Sequence, residues 1–195
     1  LPDRHAPVNA LAIDPTDPRI VYAATDAGFN AGVWRSVDGG GTWTLSTAGL
    51  PGNFRLNALA LDPKTPTTVY VGTNGDGVYK SVDGGRSWTP AGRTGWPEGD
   101  LGRIALAVPP GSDGLKVWAA VSGRGLFATG DGGASWTLLN QDGSLANSYM
   151  ANLAADPRGP ETLWAMGRGL RKSTDGGKTF TIAKGAPGGD DYHIL

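Results

Sequence analysis

The chain has 195 residues, with 17 Lys and Arg against 18 Asp and Glu for a formal net charge of -1 at pH 7, and no long run of either sign. That balance argues against a general nucleic-acid or anionic-membrane binder, since both need concentrated positive charge. The absence of cysteine excludes disulfides, zinc-thiolate sites, iron-sulfur clusters and cysteine nucleophiles.

In chain order the predicted elements begin with NALAID from Asn9, IVYAAT from Ile20 and GVWRS from Gly32, which lead into the phrase SVDGGGTW at Ser36–Trp43. The same succession returns as NALALD from Asn57, TVYVGT from Thr68, GVYKS from Gly77 and SVDGGRSW at Ser81–Trp88. A third copy reads RIALAVP from Arg103, KVWAAV from Lys116, GLFAT from Gly125 and TGDGGASW at Thr129–Trp136. The fourth reads NLAAD from Asn152, TLWAM from Thr162, GLRKS from Gly169 and STDGGKTF at Ser173–Phe180. The aspartates of the four phrases, Asp38, Asp83, Asp131 and Asp175, recur at intervals of 44 to 48 residues. The 32 glycines and 14 prolines punctuate these runs and read as turns between short strands. The longest apolar run, Ile104 to Val108, is far short of the roughly 18 to 20 residues of a membrane-spanning helix.

Short runs of Val, Ile, Leu and aromatics leave no room for helices of about ten residues, so each repeat holds four strands in an antiparallel meander, the content of one propeller blade. The expected fold is all-β, a β-propeller segment covering residues 1–195, with blades at approximately 8–48, 56–92, 103–139 and 150–184. Residues 185–195 are expected to lead into a further blade strand. The Asp-Gly-Gly phrase falls at the hairpin between third and fourth strands. There glycine supplies positive φ and the carboxylate accepts turn N–H groups, while Trp43, Trp88, Trp136 and Phe180 return to the sheet as apolar anchors. The opening LPDRHAPVNALAID matches the second half of the linker that runs from Leu50 into the second repeat. The chain therefore reads as an excerpt of a propeller, completed by further blades or by self-association through open strand edges.

The phrase Ser/Thr-x-Asp-x-Gly-x-Thr/Ser-Trp/Phe resembles the Asp-box, or bacterial neuraminidase repeat, in all four copies. The chain is similar to blades of xyloglucan-type endoglucanases, sorting-receptor ectodomains and photosystem II assembly factor-like proteins. The resemblance implies a folding device used by enzymes and non-enzymes alike, so it carries the propeller but no catalysis. It also implies an exported setting: secreted, cell-surface or periplasmic.

Catalytic motifs are sparse. Gly177-Lys178-Thr179 looks like the end of a phosphate-binding loop, but Lys172 stands where that loop needs glycine. Gly123 to Ala128 fits a loose dinucleotide pattern, yet lies between two strands with no helix following. His5 and His193 are near opposite ends, each Asp phrase offers one carboxylate, and neither a metal nor a cofactor is expected. Asp14, Asp62 and Asp156 follow the first strand of their repeats and read as turn formers.

The loops between second and third strands and the linkers between blades share the face opposite the Asp phrases, and there the repeats differ. The candidate ligand-binding residues on that face are Asp26, Phe29, Asn30, Arg55, Asn74, Asp76, Trp96, Arg103, Arg124, Tyr149 and Arg168. Arg55, Arg103, Arg124 and Arg168 come from successive blades or linkers and suit bidentate carboxylate or phosphate contacts. Trp96 stands outside the repeat template as a candidate stacking residue, with packing over a blade edge as the alternative. The stretch VYAATDAG is similar to the segment that carries the general base of xyloglucan-type endoglucanases, which would put Asp26 in that role. Those enzymes take their acid from a second propeller that this chain lacks, and the sialidase arginine motif is missing. The expected function is a non-catalytic binding or assembly scaffold for a protein partner or polysaccharide. The alternative is a fragment of a secreted glycoside hydrolase with Asp26 as its general base.

Overall fold

Branched and aromatic residues that cannot bury themselves in so short a run do so by pairing, and in the computed structural model the predicted runs of all four repeats become strands. The further blade strand expected beyond residue 185 lies outside the described residues. Residues 7–25, 31–52, 55–147, 151–167 and 169–185 are described. The first blade comprises β1 (Val8–Ile13), β2 (Val21–Thr25), β3 (Gly32–Ser36) and β4 (Thr44–Ser46). The second has β5 (Leu56–Leu61), β6 (Val69–Thr73), β7 (Val78–Ser81) and β8 (Thr89–Pro90), and the third β9 (Ile104–Ala107), β10 (Val117–Val121), β11 (Gly125–Thr129) and β12 (Thr137–Asn140). The fourth has β13 (Asn152–Asp156), β14 (Gly159–Met166), β15 (Gly169–Ser173) and β16 (Thr181–Gly185). Each is a four-stranded antiparallel sheet in sequence order, and together they are four blades of an all-β propeller. Proline ends β8 because an outermost strand needs no donor on its free side.

The first strands adjoin one another in the succession β1, β5, β9, β13. Between blades the two sides of a strand have different jobs. Leu59, Leu61, Val71 and Trp88 of the second blade pack towards Tyr22, Ala24 and Ala10 of the first. The opposite face of the second blade offers Ala58, Ala60 and Tyr70 to Leu106, Val108, Ala119 and Trp136 of the third. One blade face is thus branched and bulky, while the other is alanine with one aromatic. The second strands β2, β6 and β10 are buried along their whole length.

The aromatic on each second strand also latches the next blade. Tyr22 donates its hydroxyl to the Gly84 carbonyl at 3.2 Å, Tyr70 to Gly132 at 3.2 Å and to Gly114 at 2.6 Å, and the Trp118 indole N–H to Gly176 at 2.9 Å. Gly84, Gly132 and Gly176 are the first glycines of successive Asp-Gly-Gly turns. Burial pushes the Tyr70 phenol above its ordinary pKa, so it remains a donor.

Each turn is closed by its own side chains. In the first, Asp38 accepts from the Thr42 amide at 2.8 Å, the Thr42 hydroxyl at 2.7 Å and the Ser36 hydroxyl at 2.8 Å, while the Gly40 amide donates to Ser36 at 2.8 Å. Asp83, Asp131 and Asp175 repeat the pattern with Ser87 and Ser81, Ser135 and Thr129, and Thr179 and Ser173. Both glycines of every turn take positive φ, from 70° to 97°.

Candidate functional site

The turn phrases and the loops after first strands meet at one end of the blades, since the amides of Gly39, Gly84, Gly132 and Gly176 donate to the carbonyls of Arg19, Thr67, Leu115 and Glu161. Antiparallel pairing sends the loops between second and third strands to the other end. There a ladder of backbone bonds stitches loops to linkers. Asn74 N donates to Arg55 O at 2.8 Å, Gly75 N to Gly102 O at 3.1 Å, Ser122 N to Arg103 O at 2.9 Å and Gly123 N to Ala146 O at 3.2 Å. Arg55, Asn74, Asp76, Arg103 and Arg124 therefore belong to one continuous rim across the second and third blades.

The local reasons are visible in sequence. Val121 pairs with Gly125, so Ser122, Gly123 and Arg124 form a tight turn with the Arg124 amide on Val121 O at 2.9 Å and the guanidinium outward, exposed. Thr73 closes the loop of the second blade by donating to Gly77 O at 2.8 Å and accepting from Asp76 N at 3.1 Å, which leaves Asn74 and Asp76 exposed at its tip.

Electrostatically the rim is uneven. Asp100 is occupied by the Gly102 amide at 2.6 Å. Asp142 caps the 3-10 turn Gly143–Leu145 through the Ser144 amide at 2.9 Å and pairs with Arg171, and the Ser144 hydroxyl leads the bonds that lower its pKa. Arg55, Arg103 and Arg124 form no ion pair among the described residues. Two buried donors at this end, Arg103 Nε and Asn57 Nδ2, have no hydrogen-bond partner among the described residues. An unpaired buried donor costs about 1–3 kcal/mol, so a ligand oxygen reaching either would be favoured by that much.

Trp96 is placed differently from the other candidates. Its ring packs against Trp136 (centroids 4.5 Å) and Phe127 (5.0 Å), and its indole N–H donates to Gly92 O at 3.2 Å. It sits over the outer strands of the third blade, held there by a linker whose Thr94 bridges Ser135. Asp26, Phe29, Asn30, Tyr149 and Arg168 lie outside the described residues.

Asn57 and a cleft at the turn end escaped the sequence reading. The cleft, of about 470 Å³, is lined by Arg35, Gly85, Arg86, β4 and the two residues after it, Thr47 and Ala48, and Arg35 Nε is buried without a partner among the described residues. No sequence signal marks it, because it arises where β4 meets the turn of the next blade. Among the described residues no three His, Asp or Glu side chains converge as a metal site, and no helix is long and apolar enough to cross a membrane.

The sequence matches no protein-family profile and no curated protein. The fold does match solved structures. A GH74 xyloglucanase from Xanthomonas campestris superposes with a TM-score of 0.73 at 20% identity, over 93% of this chain and 31% of that one. The RRP9 WD40 repeats give 0.70 at 16%, over 97% and 54%, and YCF48 from Cyanidioschyzon merolae gives 0.65 at 16%, over 94% and 57%. This chain spans well under two thirds of each. What these structures share with it at such identities is the propeller, carried by GH74 enzymes and WD40 repeats alike.

Proposed function

We propose that this chain is a non-catalytic propeller scaffold with Asp-box turns, whose rim of loops and linkers binds a protein partner through carboxylates on that partner. The observation that carries the reading is the rim itself. Arg55, Arg103 and Arg124 lie along one hydrogen-bonded ladder without ion pairs among the described residues, while the neighbouring Asp100 and Asp142 are engaged by their own backbone. Guanidinium groups held in this way offer bidentate contacts to carboxylates. By sequence Arg168 of the fourth repeat joins the same set, although it lies outside the described residues. A secreted, cell-surface or periplasmic setting goes with the Asp-box resemblance.

The test is fluorescence anisotropy with a labelled poly-glutamate peptide. Saturable binding is expected, weakening as the screening length falls from about 10 Å at 0.1 M salt to about 3 Å at 1 M, and lost in the doubly substituted Arg103→Gln, Arg124→Gln chain. Binding that ignores both salt and the substitutions would refute it.

The likeness to GH74 xyloglucanases supports a second reading, in which the chain is part of a glycoside hydrolase and Asp26 is the general base. Glycosidase chemistry needs a second carboxyl group roughly 5–9.5 Å away. Under that reading xyloglucan is cleaved and Asp26→Asn abolishes the cleavage with the fold intact.

A further inference from the structure

We infer that the cleft at the turn end of the joint between the first two blades binds a phosphate monoester, gripped by the guanidinium groups of Arg35 and Arg86. The inference is independent of the rim reading, because the rim lies at the other end of the blades. Antiparallel register sets Arg35 opposite Tyr22 on β2 and opposite Thr44 on β4. Arg35 and Thr44 therefore stand on the face that Tyr22 joins to the second blade through Gly84 O. Both walls of the cleft belong to this joint and lie within the described residues.

The first observation is charge without a counter-charge. Arg35 Nε and Arg86 Nη1 lie 3.9 Å and 3.8 Å from the position a Cβ on Gly84 would take, so the two cations flank one point. Arg35 lies over the Tyr22 ring, its Cζ 6.0 Å from the centroid, and its Nε is buried with no partner among the described residues. Arg86 Nη1 donates to Asp83 O at 2.7 Å within its own turn. Neither guanidinium forms an ion pair among the described residues. The nearest turn acid, Asp83, spends its carboxylate on the Ser81 and Ser87 hydroxyls and the Arg86 amide. Two like charges held together repel, and an anion between them removes that cost. A phosphate monoester carries about -1.5 to -2 at pH 7 and three acceptor oxygens, which match two guanidinium forks better than the single charge of a carboxylate does.

The second observation is that the other joints lack both the charge pair and the space. Lys80 and Ala128 stand in the place of Arg35, and Ala134 and Lys178 in the place of Arg86, so each of those joints has one cation. At the second joint that cation is satisfied, Lys80 Nζ donating to Gly132 O at 3.3 Å. The linker there also closes on the turn, the Gly92 amide donating to Gly133 O at 2.6 Å. At the first joint Thr47 takes the place of Gly92 and makes no such bond to Gly85 among the described residues, which leaves the cleft of about 470 Å³ open. That volume falls in the range of about 300–1,000 Å³ typical of small-molecule sites and exceeds what a bare phosphate fills. Leu45 and Ala48 offer apolar contact to the organic group that carries the phosphate, while Thr44 and Thr47 bring hydroxyls.

The experiment is isothermal titration calorimetry of the 195-residue chain with phenyl phosphate, buffered above the second phosphate pKa of about 6, with circular dichroism as the check on folding. Saturable one-to-one binding is expected, and Arg35→Gln and Arg86→Gln are each expected to weaken it about tenfold or more. Arg86 is exposed, so its variant keeps the test sound if Arg35→Gln disturbs the fold. Lys178→Gln, at the matching place in the third joint, is expected to leave binding unchanged. Phenyl sulfate, with the same ring and one charge fewer, and inorganic phosphate, with the charge but no ring, are both expected to bind more weakly. No saturable binding of phenyl phosphate, binding that survives both arginine substitutions, an equal loss in Lys178→Gln, or phenyl sulfate or inorganic phosphate binding as tightly would each overturn the inference.

Discussion

At the scale of single residues, two devices repeat along the chain: a carboxylate that closes each Asp-Gly-Gly turn and an aromatic donor that ties each blade to the next. The Thr42 hydroxyl and amide, with the Ser36 hydroxyl, hold Asp38 down to about 2. Ser87, Ser135 and Thr179 in turn hold Asp83, Asp131 and Asp175 below the usual carboxylate range. An unfolded aspartate titrates near about 3.9. Because the folded values are the lower ones, the stabilisation is complete above the unfolded pKa and is lost as pH falls through about 4 towards 2. Urea midpoints measured from pH 7 to pH 2 should be flat down to about pH 5 and then fall; a midpoint that rises on acidification would contradict the turn chemistry. For the aromatic latch, Tyr70→Phe removes a buried hydroxyl that serves two carbonyls. The expected loss is about 1–3 kcal/mol of unfolding free energy at nearly unchanged denaturant slope.

At the scale of elements, the linkers do more than connect. Gly49 and Gly95 occupy matching places where a linker crosses the next blade, with the Trp88 amide on Ala48 O and the Trp136 amide on Thr94 O. Both take positive φ, and a Cβ on Gly95 would stand 1.7 Å from the Trp136 carbonyl oxygen. Gly95→Ala should therefore cost clearly more than about 1 kcal/mol in a urea melt. Gly130 has ordinary φ and open space, and its counterparts in the other turns are Val37, Val82 and Thr174, so Gly130→Ala should stay within about 0.5 kcal/mol. Equal losses at the two glycines would show that backbone crowding at the linker is not what holds the blades in place.

The elements were legible in the sequence because their signals are local: period-two apolar runs, Asp-Pro turns and a four-times repeated hairpin phrase. The latch was not, because Tyr70 and Gly132 are 62 residues apart and neither differs in type from an ordinary core aromatic and a turn glycine. Trp96 shows the same limit. Its departure from the repeat template left a stacking residue and packing over a blade edge both open, and the Thr94 bridge to Ser135 carries it onto Trp136 and Phe127, which is the packing alternative. For the rim, the alternation of loop ends placed Arg55, Arg103 and Arg124 on one face. The unpartnered Arg103 Nε and the engaged carboxylates of Asp100 and Asp142 needed coordinates.

At the scale of the whole molecule, the main contacts between blades among the described residues join neighbours in the chain, so stability is close to a sum of blade and interface contributions. The closing aromatics report this directly. Trp136 is buried beneath Trp96, and Trp136→Ala should cost about 3–5 kcal/mol. Trp43 is only half-buried on the first blade, and Trp43→Ala should cost markedly less. The proposed binding function, in contrast, draws on the rim that spans several blades. Hydrogen-deuterium exchange of the chain with and without the poly-glutamate peptide tests that assignment most directly. Slowed exchange confined to residues 74–77, 101–104 and 122–125 is the expected result. Slowed exchange at the Asp-Gly-Gly turns instead, or no change anywhere at saturating peptide, would contradict a binding rim on these blades.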